Sequence, residues 1–311
     1  MRSLSSADLA RYRDDGFLTI SGFFDEAELL AIEAAHDAAW RYLPADVVVD
    51  AELTGRRIHI KDVTAEERRA SLKINDLYLR DQAMREVVMS PRLGAVLREL
   101  MQDDPVICNS LSVDYGTQQA DHLDTLFMTP QTPGSLIAAW VALEDVRADA
   151  GPLRYYPESN HIEPYRFMDG GYHVRQQEMP FWTEYMATEV ERHGLVGTTF
   201  LAKRGDLFVW DAWLLHGGSA IRTPGLTRRS LITHYYSRTD CEALGSKLGM
   251  TTGGLWLDRP PQAVPDAPPA DATSDTDQVD SGLQPAAERT AAVAVGMDLH
   301  ERLEMLDADH H

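Results

Sequence analysis

Hydrophobic and polar positions alternate with two different periods along this chain of 311 residues, and the change of period divides it. In the first third the spacing is helical. Ser5 and Ser6 stand where a helix through residues 7–15 would be capped, and Gly16 stands where it would stop. Residues 17–20 read as a short strand. Asp25 and Glu28 then have capping-box spacing ahead of an alanine-rich helix that runs to about Trp40. Residues 44–70 are mixed and are expected to be irregular, and Pro91 opens a helix reaching about Met101. From Val106 the apolar runs become short and β-rich, separated by Gly, Pro and Asp. Strands are expected over 106–115, 135–143, 153–156, 207–210 and 230–236, a spacing that suggests a barrel or a sandwich. Residues 163–194 interrupt the series with a long excursion.

Composition changes the picture at one end. Beyond about residue 255 the chain turns rich in Pro, Ala, Asp, Ser and Thr. It is therefore divided into a folded domain over 1–255 and an acidic, disordered tail over 256–311, with one or two helical turns within 297–306. A net charge of -20 argues against nucleic acid and anionic membrane surfaces as partners. The two cysteines form no disulfide framework, and the opening residues lack the apolar core of a signal peptide, so a cytoplasmic location is expected.

Candidate chemistry centres on His122 and Asp124. Two residues apart on an extended segment, their side chains share a face and can aim at one point. A second histidine from a distant strand would complete a facial triad with open positions, the arrangement of non-haem iron oxygenases. His216, at a strand end before Gly217 and Gly218, is a candidate for that place, in competition with His161, His173, His193 and His234. His234 lies inside an apolar strand and reads as a core histidine. Farther on, Arg228 and Arg229 head the apolar run 230–236, and strand alternation lets only one of them face inward.

In order and spacing these motifs resemble the phytanoyl-CoA dioxygenase family. The resemblance runs from His122-x-Asp124 through Ala139-Trp140, Gly151-Pro152-Leu153 and Ser159-Asn-His161 to Lys203-Arg-Gly-Asp206, His216-Gly217 and Arg228, and it covers roughly residues 5–240. It implies a mainly β protein with flanking helices on a double-stranded β-helix, or jelly-roll, core. It implies Fe(II), 2-oxoglutarate and O2 as cofactors and co-substrates. It also favours His216 as the third ligand, Arg228 over Arg229 as the anchor for the far carboxylate of 2-oxoglutarate, and Lys73 and Trp140 as further co-substrate contacts. One position departs from the pattern: relatives often carry a serine two residues after the distal histidine, where this chain has Gly218.

The activity so implied is oxidation of 2-oxoglutarate to succinate and CO2 coupled to hydroxylation of an unactivated C–H bond in a small metabolite. Desaturation, cyclisation or epimerisation are alternative outcomes. The excursion over 163–194 is expected to be a lid, with His173, Arg175 and Trp182 meeting the substrate. Two other classes compete. A metal-bearing binding barrel would have no use for a cationic anchor, and a metal hydrolase would need a general base that no nearby motif supplies.

Overall fold

The computed structural model describes residues 4–52 and 54–265. Its elements in chain order are α1 (Ser6–Asp15), β1 (Phe17–Ile20), α2 (Glu26–Tyr42), β2 (Val48–Ala51), β3 (Arg56–His59), β4 (Leu72–Asn75), α3 (Gln82–Val88), α4 (Pro91–Met101), β5 (Pro105–Val113) and β6 (Leu136–Ala142). There follow β7 (Leu153–Tyr155), α5 (Met179–Arg192), β8 (Thr198–Phe200), β9 (Leu207–Asp211), β10 (His216–Gly218), β11 (Ser230–Ser237), α6 (Arg238–Ala243), β12 (Leu248–Met250) and β13 (Leu255–Leu257). Within Met1–Phe167 and Gly171–Pro265 the described residues make one compact unit; the turn Met168–Gly170 groups apart from it.

The helix ends follow from their residues. Ser5 accepts from the Asp8 N–H while Asp8 returns the bond, and Gly16 closes α1 at φ 83°. Asp25 and Glu28 do the same for α2. Ser90 caps α4, with Pro91 in its first turn.

The main sheet runs β1-β9-β6-β11-β5-β4-β2-β3, with β13 added parallel to β5 and β12 paired to β13. A small sheet, β10-β7-β8, faces it. Together they form a double-stranded β-helix core. Alternation assigns the two faces of the main sheet. Ile137, Ala139 and Val141 of β6 and Leu231 and Tyr235 of β11 join the helix-covered core with Leu29, Ile32, Met84 and Leu93. Ala138, Trp140, Phe208, Trp210 and Ile232 face the other way, against Leu153 and Tyr155 of the small sheet.

Two expectations are corrected. Residues 44–70, expected to be irregular, carry β2 and β3, where Val49 and Asp50 pair with β4 and extend the main sheet. The helix α3 had no forecast; Asp81 caps it by accepting from the Met84 N–H. At the other end, β13 straddles the boundary drawn after residue 255, and Arg259 and Gln262 beyond it bond to Asp76 and Asn75. The turns expected within 297–306 lie outside the described residues. No helix among the described residues is long and apolar enough to cross a membrane.

Candidate active site

His122 and His216 meet backbone to backbone. His122 N donates to His216 O at 2.8 Å and His216 N to His122 O at 3.1 Å, an isolated antiparallel bridge between segments more than ninety residues apart. Leu123 is extended, at φ -107° and ψ 140°, so Asp124 returns to the side of His122 before a short helical turn begins. The expected same-face geometry therefore rests on one extended step rather than on a regular strand. His216 opens β10, opposite Tyr155 of β7.

The three side chains converge. Asp124 Oδ1 lies 3.8 Å from His122 Nε2 and 3.6 Å from His216 Nε2, and one ligand atom from each residue falls within 4.8 Å of the others. The remaining atoms are committed elsewhere. His122 Nδ1 donates to Ala120 O at 2.9 Å and His216 Nδ1 to Leu214 O at 3.0 Å, which leaves both Nε2 lone pairs facing the common point. Trp210 Nε1 donates to Asp124 Oδ2 at 2.8 Å, so Oδ1 is the free carboxylate oxygen. Burial, with the His216 ring beside it, pushes His122 down to about 3, and it is neutral at physiological pH. Burial alone would raise Asp124, but the His216 and His234 imidazoles hold it far below the usual carboxylate range. Two imidazole Nε2 atoms and one carboxylate oxygen, each residue fixed by a second hydrogen bond, fit a divalent metal of the iron type.

The glycines after His216 serve the neighbouring loop. A Cβ on Gly217 would sit 2.5 Å from Asp121 Oδ1, and one on Gly218 would sit 2.6 Å from Gln118 N and Thr117 Oγ1. Gly218 thus has no room for a side chain, and the Thr117 hydroxyl lies where one would go.

Beside the triad lies an inner pocket lined by Arg228, Trp140, Thr117 and Leu153 among others. Arg228 has the parity of Ile232 and His234 on β11 and points inward; it is 2 % exposed. No carboxylate of the described residues pairs with it, its Nε has no hydrogen-bond partner, and its guanidinium stands 5.8 Å from the Trp140 ring centroid. Burial lowers it to about 10, opposed by Glu144, so it stays cationic at neutral pH. Arg229 faces outward, to Asp37 at 2.8 Å and Asp114 at 3.2 Å. Trp140 is both core and pocket floor. Lys73 reaches the pocket too, but it is ion-paired with Glu52 at 2.6 Å and donates to Gln119 Oε1 at 2.7 Å.

A larger cavity of about 520 Å³ adjoins the triad at His122 and Asp124. Its wall comes from β2–β4, β5 and the 257–262 segment, including Asp50, Arg57, Asn109, Tyr236, Arg259 and Gln262. The three expected substrate contacts are not among its lining residues. Trp182 is buried with Leu123, Leu126, Tyr165, Phe167 and Leu215, behind the segments that carry the ligands. His173 Nδ1 is 3.2 Å from Thr129 Oγ1, and Arg175 lines neither cavity. The excursion therefore buttresses the metal-binding segments from outside. His234, expected to be a plain core histidine, is buried as expected but lies 3.4 Å from Asp124 Oδ2 through Nε2 and 3.1 Å from Asn109 through Nδ1. Its spacing two residues from Ile232 on an inward face was the available signal. Nothing in the sequence marked Trp210 as a partner of Asp124.

Residues 12–230 match the sequence profile described as phytanoyl-CoA dioxygenase (PhyH). The chain belongs to the phytanoyl-CoA dioxygenase family. Among curated relatives, phytanoyl-CoA dioxygenase domain-containing protein 1 of Mus musculus is 23% identical over 194 residues, covering 51% of this chain and 67% of the relative. The Rattus norvegicus protein of the same name is 25% identical with the same coverage. Among solved structures, the non-haem α-ketoglutarate-dependent carbocyclase SnoK superposes with a TM-score of 0.60 at 17% identity, over 82% of this chain and 97% of that one. EctD from S. alaskensis, solved with 2-oxoglutarate and 5-hydroxyectoine, gives 0.55 at 20% identity, covering 76% and 77%. These identities establish a shared fold. Family, fold and the His–Asp–His cluster together make this dioxygenase a non-haem Fe(II)- and 2-oxoglutarate-dependent enzyme.

Proposed function

We propose that this dioxygenase hydroxylates an unactivated C–H bond of a small molecule seated in the large cavity. Fe(II) would be held by Nε2 of His122, Oδ1 of Asp124 and Nε2 of His216. The observation that carries the reading is Arg228. A buried guanidinium with no anionic partner is costly, and it lies in the pocket that adjoins the triad. A dicarboxylate chelating the metal at one end would meet that guanidinium with the other, and a planar fork suits a carboxylate better than an ammonium does.

Bound iron would supply O2 activation coupled to conversion of 2-oxoglutarate to succinate and CO2. The chain's own residues do the rest. The backbone carbonyls of Ala120 and Leu214 keep each imidazole in the tautomer that offers Nε2. Trp210 keeps Asp124 turned with Oδ1 toward the metal position. Trp140, Leu153 and Ile232 form a dry wall around the co-substrate pocket. Lys73, paired with Glu52, is a side wall of that pocket rather than its anchor. Because Asp124 fills the carboxylate place, no position is opened for a halide in the manner of related halogenases, and oxygenation is the expected outcome. A reducing cytoplasmic setting belongs to this reading, supported by Cys108 and Cys241, which are buried and unpaired.

Mixing the protein anaerobically with Fe(II) and 2-oxoglutarate should give a visible charge-transfer band. Arg228→Ala should weaken 2-oxoglutarate by about 2–5 kcal/mol, the cost of losing a buried charge-assisted contact, while Arg229→Ala leaves its affinity within threefold (roughly 0.6 kcal/mol). A folded protein that gives no band at saturating ligand refutes the assignment, and the reverse ranking of the two arginines refutes the anchor. Product analysis of the turnover reaction separates hydroxylation from ring closure and epimerisation, the chemistries named for the similarly folded SnoK and SnoN.

A further inference from the structure

The wall of the large cavity is rich in charge, yet its charges cancel. Arg57 is held by Asp50 through two bonds, at 2.6 and 2.9 Å. Lys73 is held by Glu52 at 2.6 Å, and Arg259 by the buried Asp76 at 2.6 Å. Each cation that faces the cavity is therefore matched by a carboxylate of the same chain. The contrast with Arg228 next door is direct: one pocket keeps a cation unpaired, and the other keeps none.

An anionic substrate would have to pull one of these cations from its carboxylate and leave that carboxylate half-buried and alone. A cationic one would have to do the converse. The groups left without a partner among the described residues are of another kind. Gln119 accepts from Lys73 on Oε1, which leaves its amide N–H groups. Gln262 donates from Nε2 to Asn75 and Asp76, which leaves its carbonyl oxygen. Tyr236 lines the same wall, and its hydroxyl has no hydrogen-bond partner among the described residues. All three are neutral, and they share the wall with Leu111, Phe127 and Met128. At about 520 Å³ the cavity is of a size for a drug-sized ligand.

We propose that the primary substrate is a neutral, oxygen-bearing molecule with an apolar part, and not a coenzyme A thioester, a carboxylate or an amine. Recognition is by the Gln119, Gln262 and Tyr236 groups, and the Asp50–Arg57 pair acts as a filter that rejects charge of either sign. The inference rests on the iron and 2-oxoglutarate reading of the inner pocket.

The test uses probes with one eight-carbon chain and different heads: octyl β-glucoside, octanoate, octylamine and octanoyl-coenzyme A. Each is titrated anaerobically into the Fe(II)–2-oxoglutarate complex of the full chain, and perturbation of the visible band is read. Octyl β-glucoside should half-saturate at a concentration at least tenfold below the other three. Asp50→Asn, which frees Arg57, should improve octanoate at least tenfold and move the glucoside less than threefold. Arg57→Gln, which frees Asp50, should improve octylamine in the same way; a purely structural role for the pair would shift all probes together. Tighter binding of octanoate or octanoyl-coenzyme A than of the glucoside overturns the proposal, as does a band that ignores the glucoside altogether. Failure of the band to form in the unaltered protein is a different result, since it removes the iron reading and this proposal with it.

Discussion

Trp210 donates its indole N–H to Oδ2 of Asp124 at 2.8 Å, so one oxygen of the carboxylate is committed and the other faces the two imidazoles. The indole fixes a rotation that a bare aspartate would be free to make. Trp210→Phe keeps the ring and removes the donor. Iron affinity should fall about ten- to a hundredfold, the usual effect of losing a second contact behind a metal ligand. Competition with a chelator measures it. Unchanged affinity would mean that His234 alone holds the carboxylate.

Trp182 lines neither cavity and packs as a buttress. It is 3 % exposed, in the cluster that backs Leu123 and Leu215, neighbours of the metal-binding residues. Trp182→Ala should cost about 3–5 kcal/mol of stability, read by denaturant unfolding, with a metal-loaded fraction that still binds probes at near-normal concentration. Loss of probe binding without loss of stability would return Trp182 to the substrate.

Arg259 ties the chain beyond β13 to a nearly enclosed carboxylate, Asp76, which also accepts from Asn109 Nδ2 at 3.0 Å and Ser110 N at 3.1 Å. A chain ending after Leu257 removes that cation, and Gln262 with it. Such a chain should be less stable by on the order of 2 kcal/mol and should respond more weakly to neutral probes than a chain ending after Pro265. Identical behaviour of the two would confine the site to the residues before Asp258.

Asp211 gives a pH signature. Burial lifts its carboxyl to about 6, against the bond it accepts from Trp213 N. Its unfolded value is about 3.9, so the folded chain keeps a proton that the unfolded chain releases between about pH 4 and 6. Stability from this group is therefore full below that window and lost as pH rises through it. Asp211→Asn should flatten the dependence and add on the order of 1–2 kcal/mol at pH 7. A Tm-against-pH series on both proteins decides it.

The features legible in the sequence were those set by local spacing. The serine cap of α1, the capping box of α2, the proline start of α4 and the bounds of β1 needed no distant partner. Parity allowed only one of Arg228 and Arg229 to face inward, and the family resemblance chose Arg228 and put His216 with His122 and Asp124. What stayed hidden depended on pairing. β2 and β3 look irregular because Asp50, Arg56 and Arg57 within them are charged, and only β4 beside them makes them a sheet. The aromatic content of 163–194 suggested contact with a substrate, but the same residues satisfy themselves against Leu126 and Leu215. Composition drew the domain boundary at residue 255, and composition carries no trace of the single bond from Arg259 to Asp76.

The place of β11 in the main sheet sets an order of assembly. Ser230–Ser237 lies between β5 and β6, so two strands made early are joined only by one made late. While the ribosome is still producing the first two hundred residues, β5 has no neighbour on that side and both neighbours of β6, β9 and β11, are still to come. His216 likewise reaches His122 only after most of the chain has emerged. Such long-range closure is slow to nucleate, and the apolar edges of β5 and β6 wait exposed in the meantime. Synthesis on the ribosome thus yields a chain whose β5 and β6 stay unjoined until Ser230–Ser237 is made, and whose three candidate metal ligands can meet only once His216 has emerged.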